Sequence, residues 1–108
     1  MTNQHEPGQL EILFGKHSAT ARILDFMHVF RDWDYNKKDI AENSGVSPRH
    51  ATIAINKLEK LELIKKTRNV GNSEMYKNNT DNPVAMLLKN YAVELAFQEA
   101  EKTVKKEE

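Results

Sequence analysis

The stretch from Asn36 to Arg49 constrains this chain more than any other. Asn36 has the side chain of a helix N-cap, and Ile40 and Ala41 put one large and one small apolar group on the short helix that follows. Gly45 supplies the left-handed backbone conformation that ends a helix cheaply. Val46 can tuck under the resulting turn, Ser47 can cap a second helix, and Pro48 fits the first position of that helix, where a missing N–H costs nothing. Two helices joined by so short a glycine-containing turn make a helix-turn-helix, whose second helix commonly enters the DNA major groove.

The rest of the chain supplies a setting for this unit. A length of 108 residues suits one compact domain, and 39% hydrophobic with 30% charged residues is ordinary for a soluble protein. No apolar run approaches the ~20 residues of a membrane helix and no secretory signal opens the chain, so a cytoplasmic protein with no membrane partner is expected. The absence of cysteine excludes disulfides and thiolate metal sites. Net charge is zero but unevenly spread: residues 47–77 hold seven Lys/Arg against three Asp/Glu, whereas residues 1–46 hold five against seven and residues 78–108 four against six. The basic surplus coincides with the second helix and the segment after it, where it can serve docking on phosphates or simply form a solvated face.

Residues 1–9 read as a flexible segment, polar and carrying Pro7-Gly8. Leu10, Ile12, Leu13 and Phe14 form a short apolar cluster ending at Gly15, which can be a helical turn packed under the domain or part of a partner contact. From Ser18, a plausible N-cap, Ala21, Ile23, Leu24, Phe26, Met27, Val29 and Phe30 recur at helical spacing to about Arg31, and this helix is expected at the centre of the core. Asp32 to Tyr35 form a connector or brief edge strand, with Trp33 and Tyr35 as its buried anchors. The helix from Pro48 to about Glu62 has an apolar face of Ala51, Ala54, Ile55, Leu58 and Leu61. Leu63 to Val70 and Glu74 to Asn78 read as strands of a β-hairpin turning at Gly71-Asn72-Ser73. Asn82 or Asp81 then caps a last helix with Pro83 at its first position. The expected fold is mainly α with a small β-hairpin: a winged helix-turn-helix over residues 10–82, followed by a dimerisation helix and charged tail over 83–108.

Several segments together resemble archaeal winged helix-turn-helix transcriptional regulators, broadly of the MarR and ArsR types. They are Leu13-Phe14-Gly15-Lys16, Ala21 to Phe26, Asp34 to Ala41, Lys57 to Ile64, and Tyr76 to Asn79. The similarity covers roughly Leu10 to Leu88 and lies in the order and spacing of these segments. It departs at Glu62, where the pattern has a helix-ending glycine, and at Ala51 and Ala54, where larger apolar residues are usual.

For the helix after Pro48, the candidate DNA contacts are Ser47, Arg49, His50, Thr52, Ile53, Asn56 and Lys57. Arg49 can donate two hydrogen bonds to guanine, Asn56 can pair bidentately with adenine, and Ile53 can contact thymine methyls. On the hairpin the candidates are Lys65, Lys66, Arg68, Asn69, Asn72 and Ser73, with Lys77 beside them. Arg68, near the tip, could enter a narrow minor groove. Edge-strand cations that merely discourage aggregation are the plainer alternative. The last helix carries two apolar stripes. Val84, Leu87, Leu88, Tyr91 and Leu95 can cover its own domain, and Met86, Val93, Phe97, Ala100 and Val104, at heptad-like spacings, can form a homodimer.

Other chemistry finds no support. His5, His17, His28 and His50 lack metal-ligand spacing, and Asp32, Asp34 and Asp39 are a loose acidic cluster in which Asp39 is explained as a first-turn acid. No phosphate loop, nucleophile elbow or zinc-protease motif is present, so neither enzyme activity, metal nor cofactor is expected. The expectation is a homodimeric, sequence-specific double-stranded DNA-binding transcriptional regulator, with any small-molecule effector left open. A protein-interaction scaffold, or a plasmid partition or replication protein, fits the same residues.

Overall fold

The computed structural model describes the backbone of residues 7–15 and 17–107 and side chains as far as residue 103. Most of the N-terminal segment, with His5, falls outside the described residues, as do Lys16 and the side chain of Val104. The elements are α1 (Gln9–Phe14), α2 (Ala19–Val29), β1 (Tyr35–Asn36), α3 (Lys37–Ser44), α4 (Pro48–Lys60), β2 (Ile64–Val70), β3 (Ser73–Asn78) and α5 (Pro83–Glu107). The strands form an antiparallel sheet in the order β1-β3-β2. This is a winged helix, mainly α with a small sheet, as the sequence implies.

Local signals set most element ends. The Ser18, Asn36 and Ser47 side chains accept the amides of Ala21, Asp39 and His50 and cap α2, α3 and α4. Gly45 is left-handed (φ 67°, ψ 33°), and the Val46 and Gly45 amides return to the Ala41 and Glu42 carbonyls. That pair of bonds is the Schellman closure, which satisfies carbonyls the helix end would otherwise strand. Gly71, at φ 61°, opens a two-residue turn between Val70 and Ser73, so Ser73 belongs to β3 rather than to the turn. Asn82 Oδ1 accepts the Val84 amide at 3.0 Å and starts α5.

The core gathers Leu10 from α1, Ile23, Leu24, Phe26 and Met27 from α2, Ile40 from α3, Ala51, Ala54, Ile55 and Leu58 from α4, Ile64 and Tyr76 from the hairpin, and Ala85 from α5. Ala41, Ala51 and Ala54 leave room for α2, α3 and α4 to cross closely, and Val46 packs beneath the turn. Arg22 braces this arrangement from α2. Its guanidinium donates to the Gly45 carbonyl at 2.8 Å and meets the buried Glu11 carboxylate at 3.2 Å. Asp25 accepts the Leu10 and Glu11 amides, both at 2.9 Å, and so caps α1 from the next helix.

Three apolar assignments, at Leu61, at Trp33 and on α5, differ from the sequence expectation. Leu61 is 55% exposed, because α4 ends at Lys60 and the chain turns away before its row can close. Trp33 is 69% exposed, while Tyr35 alone anchors the connector by packing on the Phe26 ring at 4.9 Å. Ile12, Leu13 and Phe14 point outward, and of that cluster Leu10 enters the core. On α5 the inward row is Ala85, Leu88 and Ala92, whereas Val84, Leu87 and Tyr91 are exposed. The helix meets the core along the row that carries the small Ala85, which allows close approach.

The corner after α4 is also informative. Glu62 has φ 61°, the left-handed conformation that a glycine would take there at no steric cost. The resembled corner is therefore kept despite the missing glycine. Its carbonyl accepts the side-chain amides of Asn79 and Asn82, each at 2.8 Å, which tie the corner to the approach to α5.

Candidate nucleic-acid interface

The outward face of α4 is built by subtraction. Ala51, Ala54, Ile55 and Leu58 are taken by the core, and a 3.6-residue repeat then leaves Arg49, His50, Thr52, Ile53, Asn56, Lys57 and Lys60 outside. All seven are exposed. Ser47 caps the helix and lies 2.8 Å from His50 Nδ1, so its hydroxyl is already engaged. The Thr52 hydroxyl donates to the Pro48 carbonyl at 3.0 Å. Ile53 is 59% exposed, an apolar group standing among polar ones. Among the described residues Arg49, Lys57 and Lys60 form no ion pair. Their charge is therefore available to an external anion.

The wing cations are arranged differently. Lys65 meets Asp81 at 3.1 Å, and Lys66 lies between Glu74 at 3.3 Å and Glu59 of α4 at 3.8 Å. Glu74 also accepts the Tyr76 hydroxyl at 2.9 Å. That bond, with Lys66, lowers the Glu74 carboxyl below its ordinary range, while burial and the Glu74 contact raise the Tyr76 phenol. Arg68 is held by Asp34 through Nε at 2.9 Å and Nη2 at 3.1 Å. Asn69 and Asn72 are exposed, Ser73 is half-buried, and Lys77 forms no ion pair among the described residues. The structure thus brings the α4 residues onto one open face and engages Lys65, Lys66 and Arg68 in ion pairs.

Two lysines that sequence reading left out belong to this surface. Lys37 and Lys38, with Asn36, face Asn72, Ser73 and Glu74 of the wing across an opening of about 360 Å³. Lys37 also reaches Asn56 Oδ1 at 3.4 Å and stands 5.9 Å from the Tyr76 ring centre. A signal for them existed. Adjacent lysines in the first turn of a helix oppose the positive end of its dipole, so their position calls for an outside partner.

On α5, Val93, Phe97 and Ala100 are exposed and Met86 is half-buried. Exposed Val84, Leu87 and Tyr91 add further uncovered apolar area to the same helix. Among the described residues no helix is long and apolar enough to cross a membrane, and no His/Asp/Glu group could hold a metal ion.

No protein-family model and no curated protein matches the chain. Solved structures do match its shape. A mutant of Lactococcus lactis ZitR in apo form superposes with a TM-score of 0.65 at 22% identity, over 87% of this chain and 74% of that one. A ZitR mutant in complex with DNA gives 0.58 at 18% identity, over 79% and 60%. MepR, a transcription regulator of the Staphylococcus aureus multidrug efflux pump MepA, gives 0.65 at 15% identity, over 92% and 70%. ZitR is also described as a zinc-responsive MarR family member. The chain therefore has a MarR-like winged-helix fold.

Proposed function

We propose that this chain is a sequence-specific double-stranded DNA-binding transcriptional regulator that acts as a homodimer and performs no chemistry on its target. The observation that carries this reading is the open face of α4, where, among the described residues, Arg49, Lys57 and Lys60 stand without ion-pair partners beside Asn56 and the exposed Ile53. Guanidinium, amide and branched apolar groups on one exposed helix are the set that reads guanine, adenine and thymine edges in a major groove. The N-terminal turn of α4, with Ser47, Arg49 and His50, would lead into the groove. The wing, with Asn69, Asn72 and Ser73, would lie along the adjacent backbone, and Lys37 and Lys38 would add phosphate contacts beside its tip. A solved regulator of the same fold in complex with DNA supports the reading.

The homodimer would form through α5. Val93, Phe97 and Ala100 are exposed, and Met86 precedes them in the same heptad-like series. An apolar row left in water on a 25-residue helix is better covered by a second copy, whose twofold axis would match palindromic half-sites.

Fluorescence anisotropy with a labelled random duplex at several salt concentrations tests the reading. Binding with a log–log slope of several units is the expected result, because each neutralised phosphate contributes about 0.9. No binding at low salt would remove the duplex reading and favour a protein-interaction module using Ile53. Sedimentation of the same sample tests the dimer.

A further inference from the structure

Read from sequence, Arg68 is a groove contact and Asp34 a member of a loose acidic cluster. The structure joins them. In the β2–β3 ladder Lys66 opposes Tyr76 and Arg68 opposes Met75, leaving Thr67 as the extra residue of a bulge. Bulges re-aim side chains, and here two successive residues of β2 reach one acceptor. The Thr67 hydroxyl donates to Asp34 Oδ2, and Arg68 donates to both carboxylate oxygens at 2.9 and 3.1 Å. Asp34 directly precedes β1, and β3 lies between β1 and β2 in the sheet. The contact therefore spans the middle strand and ties the far strand of the wing to the connector before α3. The Asp34 side chain is 15% exposed and that of Arg68 is 64% exposed, so the carboxylate is the seated member of the pair.

We propose that Asp34 is the positioning residue of the wing and that Arg68 fastens the hairpin to it instead of neutralising a phosphate. Three hydrogen bonds from adjacent residues of β2 fix the pitch of the hairpin relative to α3 and α4. A guanidinium paired through two N–H groups to a carboxylate has its charge compensated and its best-directed donors occupied. A phosphate would have to displace a partner already in place. The Arg68 guanidinium, with the Thr67 hydroxyl, holds the Asp34 carboxyl down to about 2, so the tether stays ionised wherever duplex binding is measured. Only the binding consequence of this inference rests on the duplex reading; the tether itself is a property of the free protein.

The test uses the full chain as D34N/R68Q, which removes both charges and keeps polar groups of similar size, with R68K as a milder variant that keeps the charge. In the free protein, hydrogen exchange is followed at the amides of Arg68–Val70 and Ser73–Met75. The expected result for D34N/R68Q is exchange faster by about tenfold at these amides, with α2 and α4 unchanged and R68K intermediate. With a labelled random duplex, D34N/R68Q should bind about threefold more weakly or worse while keeping the wild-type salt slope. A slope lower by about 0.9 overturns the proposal, because Arg68 then neutralises a phosphate. Unchanged exchange overturns it as well, because the pair then holds nothing. If the wild-type chain binds no duplex, the functional reading fails, while the exchange result still decides whether Asp34 positions the wing.

Discussion

His28 gives this protein an acid sensitivity whose size follows from its surroundings. It lies on α2, is 4% exposed, and neither ring nitrogen has a hydrogen-bond partner among the described residues. It borders a hollow of about 430 Å³ that is also lined by Gln9, Asp25, Arg31 and Lys89. Burial, reinforced by the positive charges of Lys89 and Arg31, lowers its pKa from 6.5 to about 4. The folded protein therefore keeps the ring neutral while the unfolded chain takes up a proton. Stability from this group is fully present above pH 6.5 and is lost as pH falls through the window down to about 4. The full loss is about 3 kcal/mol, and about 2 kcal/mol of it has occurred by pH 5, before most carboxylates titrate. Replacing His28 with Met, an adaptable apolar side chain of similar reach, should remove this component. Urea unfolding of both proteins between pH 7.5 and 5, at fixed protein concentration, measures it. The wild-type curve should fall by about 2 kcal/mol more than that of the His28→Met variant. Parallel curves would refute the reasoning, because the acid-sensitive group would then lie elsewhere.

Three further outcomes follow from single contacts. A Cβ at Gly8 would lie 2.3 Å from Asp25 Cγ, and Asp25 is held by the Leu10 and Glu11 amides, so Gly8→Ala should cost about 1–3 kcal/mol in urea unfolding. Glu62→Gly relieves the φ of 61° at the corner after α4 and should raise stability by about 0.5–1 kcal/mol by the same assay; a loss would show that the Glu62 side chain contributes more than its backbone costs. Arg49 is exposed on α4, so Arg49→Ala should leave the melting temperature unchanged. In anisotropy titrations it should bind a selected duplex about tenfold more weakly and relax preference at one base position.

What could be read in this sequence, and what could not, divides by the distance over which each interaction closes. The caps at Ser18, Asn36, Ser47 and Asn82, the left-handed turns at Gly45 and Gly71, and the helix starts at Pro48 and Pro83 all engage backbone within a few residues. Neighbouring residues alone determine such contacts, so the helix-turn-helix, the hairpin and the outward face of α4 were legible from residue type and period. The resemblance also marked Glu62 as the place of a missing glycine, and the structure shows the strained conformation there. Only the tertiary structure decided which wing cations are already paired, because Arg68 finds Asp34 across 34 positions and Lys65 finds Asp81 across 16. It also decided that Asp25 caps a helix it does not belong to, that Trp33 and Leu61 face water, and that Ala85, Leu88 and Ala92 make the inward row of α5. Periodicity shows that a helix has an apolar stripe. Which stripe is covered depends on where the chain brings the next surface, and so does the partner each charge finds.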